Sequence, residues 1–101
     1  MRFLLHVTPT VQRFNQLIRE GKADALIKKI LKELKPEASY FAEFRGERSW
    51  ILVVNLKDSS EMPKFAEPFF LGFDAEVEFH PVMLVEDLQK AGIKKLAKKW
   101  K

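Results

Sequence analysis

Apolar and polar residues recur along this chain with two different periods, and the switches between them mark its elements. Residues 2–8, Arg-Phe-Leu-Leu-His-Val-Thr, form a short run closed by Pro9 and predict a first strand. From residue 10 the spacing changes. Val11, Phe14, Leu17 and Ile18 recur at helical intervals behind Thr10, whose hydroxyl can cap a helix. Gly21 interrupts the stripe; Leu26, Ile27, Ile30, Leu31 and Leu34 then resume it as far as Pro36. Residues 10–35 are therefore expected to be helical, in two pieces meeting near Gly21, with lysines and arginines on the wet face.

The middle of the chain returns to strand spacing. Residues 38–44 and 48–57 predict two strands joined by Arg45-Gly46-Glu47, a length and a glycine that suit a hairpin. Residues 50–54, Trp-Ile-Leu-Val-Val, are apolar at every position and predict a central strand covered on both sides. Met62, Phe65, Ala66, Phe69 and Phe70 give helical spacing over 61–71, which Pro68 should shorten or kink. Residues 75–82 alternate through Glu76, Val77, Glu78, Phe79 and His80 as a strand with one apolar face. An amphipathic helix follows from about residue 84, with Glu86 and Asp87 in the first turn, where the helix dipole favours negative charge.

The order β-α-β-β-α-β-α opens with the six elements of a ferredoxin-like split βαβ unit. Right-handed crossovers then give an α+β fold with an antiparallel sheet in order 4-1-3-2 and two helices on one face. The 101 residues fit a single domain over 1–101, with 84–101 as an added basic amphipathic helix. No internal repeat, linker or low-complexity segment interrupts it.

Strand alternation next separates the two faces of that sheet. Phe3, Leu5, Val7, Ile51, Val53, Val77 and Phe79 are expected under the helices. The opposite face then shows Arg2, Leu4, His6 and Thr8, then Trp50, Leu52 and Val54, then Glu76, Glu78 and His80. From strand 2, Tyr40, Ala42 and Phe44 are assigned to the same side. Its apolar members form a patch too large for a soluble monomer to leave wet. A second copy of the same sheet is the expected cover.

Composition changes this picture in three places. The absence of cysteine excludes a disulfide scaffold, a thiol nucleophile and a thiolate metal site. The net charge of +4 belongs to one segment, because six of the 13 lysines fall in residues 90–101; the remainder holds 12 basic and 14 acidic side chains. A slightly acidic body argues against nucleic acid as a partner. RNA-recognition domains share the layout and stack bases on aromatics of strands 1 and 3, but strand 3 offers Trp50 alone. The longest apolar run, 50–54, is far below the ~18–20 residues of a membrane span, and the apolar run at the N-terminus is too short for a signal peptide. The expectation is a soluble cytoplasmic protein with no membrane partner and no cofactor. Ile93, Leu96 and Trp100 lie along one helical face, and this stripe is expected to dock on its own domain or on a dimer partner while the lysines stay solvated.

The two histidines, His6 and His80, both fall on the non-helix face. End-to-end antiparallel pairing of strands 1 and 4 sets His6 opposite roughly Glu78, and Leu4 opposite His80. A carboxylate beside an imidazole orients it as a general base requires, so His6 and Glu78 are the candidate catalytic pair. The alternative is a cross-strand polar pair in a damp dimer interface. Tyr40 and Trp50, with Phe44 beside them, are candidates to line a pocket for a small hydrophobic ligand, and His80 and Glu76 join that ligand-binding set. Equally, the aromatics could simply fill the interior and seal the dimer. Two histidines and a carboxylate are also metal-ligand types, but no local spacing supports such a site, and no metal is assigned.

The whole chain resembles the dimeric α/β-barrel superfamily. The segment Pro68-Phe69-Phe70-Leu71-Gly72-Phe73-Asp74-Ala75-Glu76-Val77 is similar to the helix-to-last-strand segment of muconolactone isomerases. The strand opening Arg48-Ser49-Trp50, and the ending Glu76-Val77 through His80-Pro81-Val82, resemble a small prokaryotic family of unknown function in that superfamily. The resemblance implies a homodimer in which two ferredoxin-like sheets pack face to face around a shared interior. It implies either a ligand-binding or scaffold module or a small-molecule enzyme, of isomerase or cofactor-free monooxygenase type, using His6 as base. Fold does not choose between these, and no complete catalytic motif of the superfamily is matched.

Overall fold

The apolar stripes of the sequence become one buried layer between a four-stranded sheet and three helices. A computed structural model describes residues 1–101. The strands are β1 Arg2–Thr8, β2 Ala38–Phe44, β3 Glu47–Asn55 and β4 Glu76–Pro81; the helices are α1 Val11–Arg19, α2 Ala23–Leu34, α3 Met62–Phe73, α4 Val85–Lys90 and α5 Ile93–Lys99. All neighbouring strands are antiparallel, in the order β2-β3-β1-β4, which is the expected 4-1-3-2 counted from the other edge. This α+β arrangement is compatible with a ferredoxin-like fold.

Local chemistry sets the helix limits. The Thr10 hydroxyl accepts from the Arg13 N–H at 3.2 Å and caps α1. Gly21, at φ +71°, separates α1 from α2 where the stripe broke in the sequence. Pro68 does not shorten α3, which runs on to Phe73. Phe65, Phe69 and Phe73, four residues apart, are all buried. Burying each ring is worth roughly 1.5–3 kcal/mol, against about 3 kcal/mol for one interior proline, so packing wins. At Gly72 an added Cβ would sit 3.2 Å from the Leu26 side chain, which is how closely α3 approaches α2.

Register overturns the expected facing of β3. Leu5 pairs with Leu52, Val7 with Trp50 and Phe3 with Val54, and partners directly opposite share a face. Trp50, Leu52 and Val54 therefore lie under the helices, fully buried, while Ile51 and Val53 face the other way beside His6 and Leu4. The Trp50 ring meets Phe69 and Phe73 edge-on at 5.2 and 5.9 Å, stacks on Phe41 at 4.8 Å, and donates from Nε1 to Ser39 Oγ at 2.8 Å. Five consecutive apolar residues carry no alternation, so their phase comes from the largest side chain finding the helices. β3 is central in the sheet, but the chain's own helices cover it on one face only.

The last segment also departs from expectation. Gly92, at φ +69°, divides the single expected helix into α4 and α5. Ile93, Leu96 and Trp100 are 50%, 47% and 75% exposed, so the stripe does not dock on its own domain. Residues 82–101 form an arm, and the Cα radius of gyration is 17.0 Å, where a compact domain of this length has about 13 Å. The long axis reaches 59 Å against 29 and 19 Å. No helix is long and apolar enough to cross a membrane.

Candidate functional site

The face of the sheet turned away from α1, α2 and α3 carries the polar chemistry. One cross-strand row runs Tyr40, Ile51, His6, Glu78; the next runs Ala38, Val53, Leu4, His80. The pairing of His6 with Glu78 and of Leu4 with His80 matches the end-to-end register expected from strand lengths.

The two ring nitrogens of His6 face different partners, one at hydrogen-bond distance and one at ion-pair distance. Nε2 lies 3.0 Å from Ser49 Oγ, and Nδ1 lies 3.6 Å from Glu78 Oε1. A carboxylate only accepts, so a neutral ring that meets Glu78 does so with its hydrogen on Nδ1, and its Nε2 lone pair is then free to take the Ser49 hydroxyl hydrogen. The Phe44 ring, 5.0 Å away, closes over the imidazole. Ser49 is the one buried polar residue of the chain, at 3% exposure, and it is satisfied by this bond. Hydroxyl, imidazole and carboxylate thus stand in the order used to polarise a hydroxyl group.

Glu78 serves both histidines. The same Oε1 accepts from His80 Nε2 at 3.0 Å. That hydrogen bond holds the Glu78 carboxyl below the usual glutamate range; partial desolvation opposes it, and the charges of His80 and His6 reinforce it. A carboxylate held this way is a weak base and a good orienting group.

These side chains border a cavity of about 410 Å³, within the range of small-molecule sites. His6, Thr8, Ser49, Glu76 and Glu78 line it from the strands, and Phe44, Arg45 and Glu47 from the β2–β3 hairpin. Larger hollows of about 550 Å³ at α4–α5 and 540 Å³ between α2 and α3 contain neither a histidine nor a hydroxyl side chain. No group of three or more histidine and carboxylate side chains is arranged to hold a metal ion.

Of the residues expected from sequence, the structure brings His6, Glu78 and Glu76 to this cavity and sets His80 behind Glu78. Tyr40 shares the His6 row, 64% exposed, but lies outside the cavity lining. Trp50 is a correction: its ring is enclosed in the helix-packed core and cannot line a pocket on the open face. Sequence reasoning missed Ser49, Arg45 and Glu47 as candidates. Ser49 was within reach of strand alternation, since it stands two residues before Ile51, once β3 has its correct phase.

No protein-family model matches this sequence, and no curated protein does either. What fold and site define is a class: a small α+β protein, compatible with a ferredoxin-like fold, whose open sheet face holds a polar cavity organised around one histidine.

Proposed function

We propose that this protein is a homodimeric small-molecule-binding module of the dimeric α/β-barrel type, joined through its open sheet face. The observation that carries the proposal is the composition of that face. Leu4, Ile51 and Val53 lie in the middle of it with no helix above them, and Tyr40 and Phe44 extend the apolar surface at 64% and 47% exposure. Surfaces of this kind are where soluble chains meet partners. Beside them, seven of the eight cavity residues are polar or charged. The lining favours a polar ligand over the flat hydrophobic one expected from Trp50. Three carboxylates against the single Arg45 guanidinium suit a molecule that donates hydrogen bonds. Native mass spectrometry of the protein as expressed should give the dimer mass with a small polar molecule retained. A natively folded monomer at micromolar concentration would overturn the dimer.

A second reading, proton-transfer catalysis in the same cavity, is favoured by the placing of His6 between the Ser49 hydroxyl and the Glu78 carboxylate. With Nε2 turned to Ser49, His6 would act as base through the Ser49 hydroxyl. The two readings separate on His6→Gln: in a binding module the substitution weakens affinity for the retained molecule, whereas in an enzyme turnover falls by ~100-fold or more while that molecule still binds.

A further inference from the structure

The arm of residues 82–101 carries an apolar stripe that its own chain leaves uncovered. α4 has six residues and α5 seven, whereas an isolated helix needs roughly 12–15 to persist in water, so such helices are held by what they pack against. The arm's stripe is not docked on the chain's own open face. The Val82 N–H donates to the Arg2 carbonyl at 3.2 Å, and the Leu84 N–H donates to Asp87 Oδ2 at 2.9 Å to begin α4. Met83 alone links strand to helix. Past that link the arm leaves Ile93, Leu96 and Trp100 50%, 47% and 75% exposed.

Charge identifies the cover. The arm holds six lysines against Glu86 and Asp87. The cavity end of the open face holds Glu47, Glu76 and Glu78 against Arg45, with exposed Phe44 and Tyr40 beside them. The two surfaces are complementary in both apolar content and sign, and both belong to this chain. We infer that the arm of each chain lies over the acidic end of its partner's open face, so that the His6 cavity is completed in trans. This rests on the dimer proposed above and adds which segment closes it. The arm leaves the sheet at the Arg2 end of β1, and the cavity lies toward the Thr8 end. A two-fold axis that runs the partner strands in opposite directions brings each arm over the other chain's cavity.

The chain has no cysteine, so paired single-cysteine variants report the contact directly. A mixture of Leu96→Cys and Phe44→Cys chains should form an intermolecular disulfide under mild oxidation. Reversing Lys94, Lys95, Lys98 and Lys99 to Glu should weaken the dimer at least about tenfold in sedimentation, with salt weakening the unmodified dimer in the same direction. A Leu96→Cys/Phe44→Cys double variant that closes at monomer mass would show docking in cis and overturn the inference. A dimer of full affinity in the charge-reversed chain, with no disulfide in the mixture, would overturn the arm while leaving the dimer. A monomer that binds phosphatidylserine vesicles through the arm would overturn both.

Discussion

The two faces of this sheet come from the same four strands, yet they end in opposite states. On the helix side Leu5, Val7, Trp50, Leu52 and Val54 are completely enclosed, and the one polar group among them, the Trp50 indole N–H, has Ser39 as its acceptor. On the other side apolar residues of similar size alternate with His6, Glu76, Glu78 and His80, and the chain supplies no cover. Adjacent residues of β3 therefore belong to different problems. Trp50 and Leu52 serve the stability of one chain; Ile51 and Val53 lie on the face that the chain leaves open.

That contrast can be broken at a single step along β3. Trp50→Ala should cost about 3–5 kcal/mol in chemical denaturation, because it removes the ring that Phe41, Phe69 and Phe73 pack against. Ile51→Ala, one residue on, should cost under about 2 kcal/mol at a concentration where the chain is monomeric, since the side chain is only partly buried. Equal losses at the two positions would mean that the faces are assigned wrongly.

A smaller effect sharpens the polar half of the open face. Ser49→Ala removes the hydroxyl from His6 Nε2 and should cost about 1 kcal/mol. It should also change the tautomer: nitrogen NMR of neutral His6 should find the hydrogen on Nδ1 in the unmodified protein and a shift toward Nε2 in the variant. A ring already protonated on Nε2 beside an intact Ser49 would reverse the direction of the Ser49–His6 hydrogen bond.

The smallest effect is the pH dependence contributed by Glu78. Its carboxyl is held low in the folded chain, chiefly by the hydrogen bond from His80. Its contribution to stability is therefore complete above the unfolded glutamate value of about 4.3 and is lost as pH falls through the lower folded value. Glu78→Gln should flatten that acid limb of the stability curve and leave neutral-pH packing intact. An unchanged acid limb would detach Glu78 from His80 in solution.

Much of this arrangement is legible in the sequence. The break at Gly21 and the hairpin around Gly46 follow from residue spacing and turn chemistry; the strand order follows from the split βαβ succession with right-handed crossovers, and the pairing of His6 with Glu78 from strands of similar length joined end to end. The first two are local, enforced by short-range sterics and hydrogen bonding; the last two are long-range pairings that few topologies for this element order allow. The cavity was half legible: His6, Glu76 and Glu78 were found through alternation, whereas Arg45 and Glu47 arrive from a hairpin whose direction no period encodes.

Three things were decided only by packing. Residues 50–54 are apolar throughout, so nothing within the strand says which alternate set goes under the helices. The pairing of Val7 with Trp50, and the space beside Phe69 and Phe73 for an indole, make that choice. Pro68 argued locally for a broken helix, but three phenylalanines that must share one buried face carried α3 past it. The arm reads as an ordinary amphipathic helix, and only the structure shows that it is broken at Gly92 and that its stripe is left uncovered by its own domain. Sequence by itself determined the elements and their order, since period and turn chemistry act over a few residues. Tertiary structure decided which side of β3 is inside and which surfaces stay open, since burial is a competition among distant segments for the same space.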